Sequence, residues 1–196
     1  MKERPILFNS EMVRAILAGR KTQTRRVIKR SDNWHVDIGR GRIWPVRENE
    51  YGDWYDVDCS YGQPGDRLWV REAFAYHPDG EGKDVIYRAT DPGWDENNTG
   101  LRWRPSIHMP RWASRIQLEV TSVRVEPVQD ISADDCVDEG LDPSEVPGIG
   151  SDWSFIKAFS ELWDTINAGR GYSWESNPRV WVVEFSKINK TREKLY

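Results

Sequence analysis

The spacing of apolar residues predicts two amphipathic helices, one near each end of the chain. The first is expected over 11–19, after the capping candidates Asn9 and Ser10 and before Gly19. Its apolar stripe consists of Met12, Val13, Ile16 and Leu17. The second is expected over 152–168, where one face carries Phe155, Phe159, Leu162, Trp163 and Ile166. Each helix therefore has one face that must pack against another layer of the protein.

Short apolar runs and alternating apolar and polar residues predict several strands between these helices. The expected strands cover 5–8, 22–28, 65–74, 84–89, 111–128 and 177–188. Ser132 and the acidic residues after it predict a further short helix over 132–140. Short strands with two or three helices are typical of an α+β fold, which we expect to be a small β-barrel with helices on its flanks.

Residues 31–65 interrupt this pattern with a segment rich in Gly, Asp and Trp. We expect an irregular insertion there, with one hairpin at 41–57. A length of 196 residues suits one domain, so we assign 1–196 to a single domain that carries this Trp-rich insertion.

Charge is distributed unevenly along a chain whose formal net charge is −4. Residues 1–30 hold nine Lys or Arg and two Glu, a net of +7, whereas 130–152 hold eight acidic residues and no Lys or Arg. We expect these two segments to meet in the fold. The overall acidity excludes a global field that would attract nucleic acid, so any such binding must use a local patch.

The remaining composition argues against metal and membrane functions. Two cysteines, three scattered histidines and no CxxC motif predict no zinc site and no bound cofactor. Cys136 is expected to be a small buried residue. The sequence has no apolar signal-peptide core in its first twenty residues and no run of membrane-spanning length. It therefore predicts no membrane partner and a soluble, cytoplasmic protein with reduced thiols.

The basic segment AGRKTQTRR (18–26) contains the clearest candidate chemistry. A threonine hydroxyl needs a neighbouring base to act as a nucleophile, and a lysine serves as that base when burial or nearby cations lower its pKa. Lys21 stands at a helix–strand junction and Thr24 follows in the strand, with Arg26 on the same face as Thr24. A Glu139 carboxylate near Lys21 would orient it. The alternatives are a solvated strand with a basic edge and an acid that only stabilises a helix N-terminus.

Two further places combine arginine with tryptophan. Trp69 and Arg71 share a predicted strand, and Arg111 and Trp112 are adjacent in the chain. Arginine and aromatic side chains together bind nucleotides by charge and stacking, which favours a phosphate-bearing or single-stranded ligand. The alternative for Trp69 is a place in the hydrophobic core.

Several motifs together resemble a known family. In chain order they are ILAGRKTQTRR, PGDRLWVRE, RIQLEVTSV, ISADDCVDEGL and NPRVWVVEFSKI. They resemble an ASCH domain of the PUA-like superfamily and cover most of the chain. The Trp-rich insertions are further similar to the ASCH proteins common in phages and prophages. The resemblance implies a β-barrel with a cleft suited to RNA or to a modified nucleoside.

One small bacterial ASCH protein is an amidohydrolase that removes the acetyl group from N4-acetylcytidine. It uses a lysine and a threonine of an AGRKTxT segment and a glutamate of the helix after an EVT strand. The matching positions here are Lys21, Thr24 and Glu139, so the resemblance implies a base, a nucleophile and an orienting carboxylate. This chain departs from that enzyme at Arg25, which replaces an apolar residue, and in its insertion. The expected substrate-binding residues are Thr22, Arg26, Trp69, Arg71, Arg111 and Trp112.

Three functions are compatible with these features. The first is an amidohydrolase acting on N4-acetylcytidine or a related nucleoside, without a metal. The second is an RNA-binding module without catalysis, and the third is a ribonuclease that uses Lys21 at a backbone phosphate. The expected partner is therefore a modified nucleoside or single-stranded RNA, and the oligomeric state is open.

Overall fold

The computed structural model describes residues 1–29, 34–37, 44–48, 54–78, 80, 84–91, 93–94, 101–146 and 151–188. The helices are α1 (Ser10–Leu17), α2 (Ala133–Asp138) and α3 (Asp152–Asn167). The strands are β1 (Glu3–Leu7), β2 (Gln23–Val27), β3 (Trp34–Asp37), β4 (Trp44–Glu48), β5 (Trp54–Asp56), β6 (Arg67–Arg71), β7 (Phe74–Tyr76), β8 (Val85–Tyr87), β9 (Gln117–Pro127) and β10 (Arg179–Lys187). None of the helices in these ranges has the length and apolar character needed to cross a membrane.

Five strands form the main sheet in the order β1-β6-β9-β10-β2. β1 and β6 run parallel, and the other neighbouring pairs are antiparallel. The sequence predicts a closed barrel, but in the described residues this sheet is not closed and β1 and β2 are its edges. A side chain connects the two edges instead, because Arg26 of β2 donates a hydrogen bond from Nη2 to the backbone oxygen of Leu7 at 2.8 Å.

The strand β10 is central to the packing because both of its faces are buried. Val180 and Val182 point into a cluster that also contains residues of α2 and α3. Trp181, Val183 and Phe185 point into a second cluster that includes the α1 stripe and β6 and β9 side chains. This arrangement explains why the sequence of β10 reads as a continuous apolar run rather than an alternation.

The predicted helices are confirmed. The α2 helix has a capping box in which Ser132 and Asp135 each bond the backbone N–H of the other. The strand expected over 111–128 is confirmed only from Gln117 onward, since Arg111–Ala113 form a 3-10 turn. Pro110 precedes this turn, and its backbone oxygen accepts a hydrogen bond from the Ala113 N–H at 3.1 Å.

The insertion is more regular than its composition predicts. A hairpin of β4 and β5 confirms the one expected over 41–57, and β3 adds a third antiparallel strand to it. Tryptophan, valine and tyrosine favour strands, and here they outweigh the turn-forming Gly and Asp residues between them. The expectation of an otherwise irregular segment is therefore wrong for 34–37. Residues 30–33, 38–43 and 49–53 lie outside the described ranges.

Candidate functional site

A cavity of about 440 Å³ lies between β2, the end of α2 and one face of α3. This volume falls in the range of roughly 300–1,000 Å³ that is typical of small-molecule sites. Its polar side includes Thr24, Arg25 and Arg26 of β2 and Glu139, which follows α2. The α3 helix lines the opposite side with Phe159, Leu162, Trp163 and Ile166. The cavity thus combines an apolar wall with a few charged groups.

The turn after α1 directs Lys21 into the protein. Gly19 has a φ of +78°, which reverses the chain, and the N–H groups of Arg20 and Lys21 both donate to the backbone oxygen of Ala15. A left-handed residue at this position is the usual role of a glycine at a helix end. As a result the Lys21 side chain is buried, with 2% of the residue exposed.

The Lys21 amine has two hydrogen-bond acceptors, and one residue provides both. Nζ donates to the Glu139 Oε2 atom at 2.8 Å and to the Glu139 backbone oxygen at 2.6 Å. A neutral amine has two N–H groups, so these two bonds leave its lone pair unused. The predicted pairing of these residues is confirmed.

The electrostatic surroundings favour the neutral form of this amine. Burial lowers the pKa of Lys21 below its ordinary value, and the charge and hydrogen bond of Glu139 act in the opposite direction. The positive charges of Arg26 and Arg25 lower the pKa of Lys21 further. A buried lysine with cationic neighbours is the arrangement that makes an amine usable as a base.

The chain after α2 places Glu139 against Lys21. Gly140 has a φ of +101°, and a Cβ atom built there would lie 2.9 Å from the Ala15 Cβ and 3.2 Å from the Lys21 Cβ. A glycine therefore lets α2 approach the α1 turn closely enough for the carboxylate to reach the amine. Glu139 itself is buried and lines the cavity.

Thr24 and Arg26 reach the cavity from the edge strand β2. Among the described residues the Thr24 hydroxyl has no hydrogen-bond partner, although the residue is buried. The Arg26 guanidinium lies between two rings, 5.2 Å from the centre of Phe8 and 5.7 Å from that of Tyr61. Its Nε atom has no partner within the described part of the chain. The Thr24 hydroxyl is therefore unpaired at the cavity, whereas the Arg26 guanidinium already donates from Nη2 to the Leu7 backbone oxygen.

Arg25 joins the basic and acidic segments of the chain. Its Nη2 atom lies 2.6 Å from a Glu126 oxygen and 3.0 Å from an Asp135 oxygen, and its Nη1 atom lies 3.3 Å from Glu139 Oε1. Together with the Lys21–Glu139 bond, these contacts confirm that the basic first thirty residues meet the acidic segment. The expected Lys21–Glu139 pair is found, and Thr24 and Glu139 line the cavity, but the expectation that Lys21 lines it beside Thr24 is wrong, because Lys21 is buried behind Glu139.

The predicted substrate residue Thr22 lies outside the cavity. It is exposed, and its hydroxyl donates to Asp138 Oδ1 at 2.9 Å. Its backbone N–H donates to the backbone oxygen of the same aspartate at 2.8 Å. Thr22 therefore connects β2 to α2.

The predicted substrate residues Trp69, Arg71 and Arg111 form a separate cluster, and Trp112 stacks on Tyr76. The Arg71 guanidinium lies 5.3 Å from the Trp69 ring centre and donates to the backbone oxygen of Ile107. The Arg111 guanidinium also lies over the Trp69 ring, 5.7 Å from its centre, and forms two hydrogen bonds with Glu3, at 2.8 and 2.6 Å. None of Trp69, Arg71, Arg111 and Trp112 lines the cavity. Of the two arginines expected near Thr24, Arg26 lines the cavity with it and Arg71 does not.

Three parts of the cavity were not predicted from the sequence. Arg25 points away from Thr24 along β2, but β2 is an edge strand and the cavity reaches both of its faces. Tyr61 comes from the end of the 31–65 insertion. The sequence predicts that the apolar face of α3 packs against another layer, and the structure shows that Phe159, Leu162, Trp163 and Ile166 of this face also line the cavity.

The cysteines do not add a nucleophile or a metal ligand to this cavity. Burial raises the pKa of the Cys136 thiol to about 12 and that of Cys59 to about 11. Both thiols are therefore protonated near neutral pH, and the prediction of a buried Cys136 is confirmed. Across the described ranges, no three His, Cys, Asp or Glu side chains are close enough to hold a metal ion.

Comparison with known proteins gives little further information. No family model matches the chain, and no curated protein matches it. Among solved structures, the chain is similar to a crystal structure of an ASCH domain from Lactobacillus crispatus JV V101, with 12% sequence identity and a TM-score of 0.45. The match covers 95% of this chain and 79% of that one. A likeness at this level assigns neither a family nor an activity.

Proposed function

We propose that this protein is an amidohydrolase that removes an acyl group from the exocyclic amine of a cytidine, with N4-acetylcytidine as the test substrate. The observation that carries the proposal is the buried Lys21–Glu139 pair behind a cavity that Thr24 lines. A threonine nucleophile requires a base, and a lysine with a lowered pKa is such a base. The motif resemblance described above points to the same three residues.

The proposed reaction proceeds through an acyl-enzyme. The Thr24 hydroxyl oxygen attacks the amide carbonyl carbon, and its proton passes to the lone pair of neutral Lys21. The resulting ammonium returns that proton to the exocyclic nitrogen as the carbon–nitrogen bond breaks, which releases cytidine. Water then attacks the Thr24 ester as Lys21 takes one of its protons, and the ammonium passes that proton to the Thr24 oxygen as the ester bond breaks and the carboxylic acid leaves. Thr24 and the neutral amine are restored at the end of the cycle.

Arg26 and Glu139 have separate roles in this scheme. The Arg26 guanidinium lines the cavity beside Thr24, so its N–H groups suit the negative oxygen of the tetrahedral intermediate. Glu139 orients the Lys21 amine through its two hydrogen bonds and stabilises the ammonium formed after attack. Tyr61 and the α3 wall provide the aromatic and apolar surface that a nucleobase requires.

The experiment is turnover of N4-acetylcytidine, with cytidine separated by chromatography. We expect the wild type to release cytidine and Thr24→Ala to release none above background. Thr22→Ala is the matched control, because it removes an equivalent hydroxyl two residues away that lies outside the cavity. Absence of turnover by the wild type at high enzyme concentration, or equal turnover by Thr24→Ala, would overturn this assignment.

A second candidate function, binding of single-stranded RNA, is favoured by an exposed aromatic surface. Trp112 is 55% exposed and stacks on Tyr76 at 6.3 Å with an interplanar angle of 16°. The Arg104 guanidinium lies 4.8 Å from the centre of the Tyr76 ring. Stacked rings next to an arginine bind successive bases of a single strand without sequence preference.

Fluorescence anisotropy with a labelled oligoribonucleotide tests this second candidate. We expect Trp112→Ala to weaken binding, and the wild-type affinity to fall as salt rises. Trp153→Ala is the control, since Trp153 is 68% exposed and lies on α3. Equal loss in the two variants, or an affinity that salt does not change, would contradict RNA binding at Trp112. Separation of the same RNA on a gel would reveal cleavage and so favour a ribonuclease.

A further inference from the structure

Arg25 is the most highly connected buried cation next to the proposed catalytic group. Its side chain has no exposed area, yet it contacts three carboxylates from different parts of the fold. Glu126 lies on β9, Asp135 on α2 and Glu139 directly after α2. Burying a charged guanidinium costs desolvation free energy, and each of these contacts offsets part of that cost.

We propose that Arg25 is a positioning residue of this site, which holds one oxygen of the Glu139 carboxylate and leaves only the other oxygen for Lys21. The inference rests on the proposed function, since it concerns how Lys21 becomes a base. It assigns to Arg25 an action on Lys21 that passes through the Glu139 carboxylate.

The geometry of the carboxylate supports this role. Glu139 Oε1 lies 3.3 Å from Arg25 Nη1, and Oε2 lies 2.8 Å from Lys21 Nζ. Arg25 and Lys21 therefore bind the same carboxylate, each at a different oxygen. Without Arg25 the whole negative charge of Glu139 would be available to the Lys21 ammonium, and the carboxylate would lose the contact that fixes its rotation.

The charges around Lys21 act in the same direction. The charged groups that act on its amine are Glu139, beyond α2, and Arg25 and Arg26, both on β2. The Phe8 ring after β1 lies 5.6 Å away and carries no charge. Loss of Arg25 would remove a repulsive cation and strengthen the attraction of Glu139, and both changes stabilise the ammonium form.

A purely structural role for Arg25 makes a different prediction. In that case the guanidinium would only connect β2 to β9 and α2, and loss of any of its contacts would have a similar effect. The contact with Glu126 is the shortest, at 2.6 Å, and it uses the Nη2 atom of Arg25 rather than the Nη1 atom that contacts Glu139. Glu126→Gln therefore weakens the attachment of Arg25 but leaves its contact with Glu139, so it is the matched control.

The first experiment measures the pKa of Lys21 in the full chain by NMR of labelled lysine side chains at a series of pH values. The Lys21 signal is assigned by its absence in Lys21→Arg. We expect Arg25→Gln to raise the Lys21 pKa, because it removes a repulsive cation and frees the Glu139 charge, so the fraction of neutral amine at a given lower pH falls. Glu126→Gln should leave it near the wild-type value. Arg25→Lys, which keeps a cation, should give a smaller increase than Arg25→Gln.

The second measurement is the pH dependence of kcat/KM with N4-acetylcytidine. We expect the acidic limb of Arg25→Gln to move to higher pH together with the NMR titration, with about a tenfold loss below that limb. If Arg25→Gln does not fold, Arg25→Lys provides both readouts. The inference is overturned if the Lys21 pKa is unchanged in the folded Arg25 variant, or if Glu126→Gln changes it equally.

The two measurements separate this inference from the proposed function. A wild type that does not release cytidine refutes the proposed substrate, whereas the NMR titration still decides whether Arg25 controls Lys21. Turnover by the wild type with no change of the Lys21 pKa in Arg25→Gln leaves the amidohydrolase intact and refutes the role of Arg25.

Discussion

The Nζ atom of Lys21 lies 2.8 Å from Oε2 of Glu139, and both side chains are almost completely buried. Removing two charges from water costs free energy that their attraction offsets only while both remain. The pair is not symmetric. Glu139 contacts a second cation, Arg25, whereas among the described residues Lys21 contacts one carboxylate, that of Glu139. Removal of Glu139 and removal of Lys21 should therefore change the stability of the protein by different amounts.

We expect Glu139→Ala to lower the free energy of unfolding more than Lys21→Met. The first variant leaves the buried Lys21 amine without its carboxylate acceptor, at a cost of about 2 kcal/mol. The second leaves Glu139 paired with Arg25, so its stability should stay within about 1.5 kcal/mol of the wild type. Urea denaturation followed by tryptophan fluorescence measures both, and equal losses would contradict the asymmetry.

The stability of the protein should also depend on pH through Lys21. Because burial lowers its pKa, the unfolded chain keeps a proton on this amine at pH values where the native protein has lost it. The free energy of unfolding therefore rises with pH between the native and the ordinary lysine pKa, and it falls as the pH drops through the native pKa.

Lys21→Met should remove this contribution and flatten the rise of stability with pH. Urea denaturation at a series of pH values measures the slope. Lys29→Met, which removes an exposed lysine of the same segment, controls for the loss of one positive charge. The same flattening in both variants would show that Lys21 is not the source of the slope.

We expect Asp135 to contribute to the loss of the free energy of unfolding at acidic pH. Burial acts to raise the pKa of Asp135, but hydrogen bonds from Gln23 and from Ser132 outweigh it and lower the pKa to about 2. The unfolded chain takes up this proton near pH 4, so the stabilisation is present above roughly pH 4 and disappears as the pH falls toward 2. We expect Asp135→Asn to flatten the loss of stability in this range, measured by denaturation at acidic pH. Asp134→Asn, at an exposed position of the same turn, should retain the loss.

Substitution of Gly140 should be far more damaging than substitution of Gly19. Both have positive φ, so alanine at either position is strained by about 1 kcal/mol or more. A Cβ on Gly19 meets nothing within 4 Å, whereas one on Gly140 lies 2.9 Å from the Ala15 Cβ. Gly140→Ala should therefore cost an additional 1–3 kcal/mol, roughly the usual cost of overpacking. Thermal unfolding of the two variants compares them, and similar melting temperatures would contradict the close contact.

The amino-acid sequence by itself determined the local elements of this protein. The stripe of α1, the Ser132 cap of α2 and the long apolar face of α3 all follow from spacing within one helix. Such signals are local because a helix satisfies its own backbone hydrogen bonds and needs a partner only for one face. The segment at 18–26 could be recognised as candidate chemistry for the same reason, since its residues are consecutive.

Only the tertiary structure decided which of the candidate residues meet. Lys21 and Glu139 are separated by 118 residues, and their contact depends on the turn at Gly19 and the close approach at Gly140. Alternation of side chains along β2 predicts that Arg25 and Thr24 lie on opposite faces of the strand, but the cavity at the edge of the sheet is lined by both. Thr22 and the cluster around Trp69 contain residue types similar to those of the site, yet they lie outside the cavity. Pairing of strands and packing of helices bring distant side chains together, and no spacing within a single element contains that information.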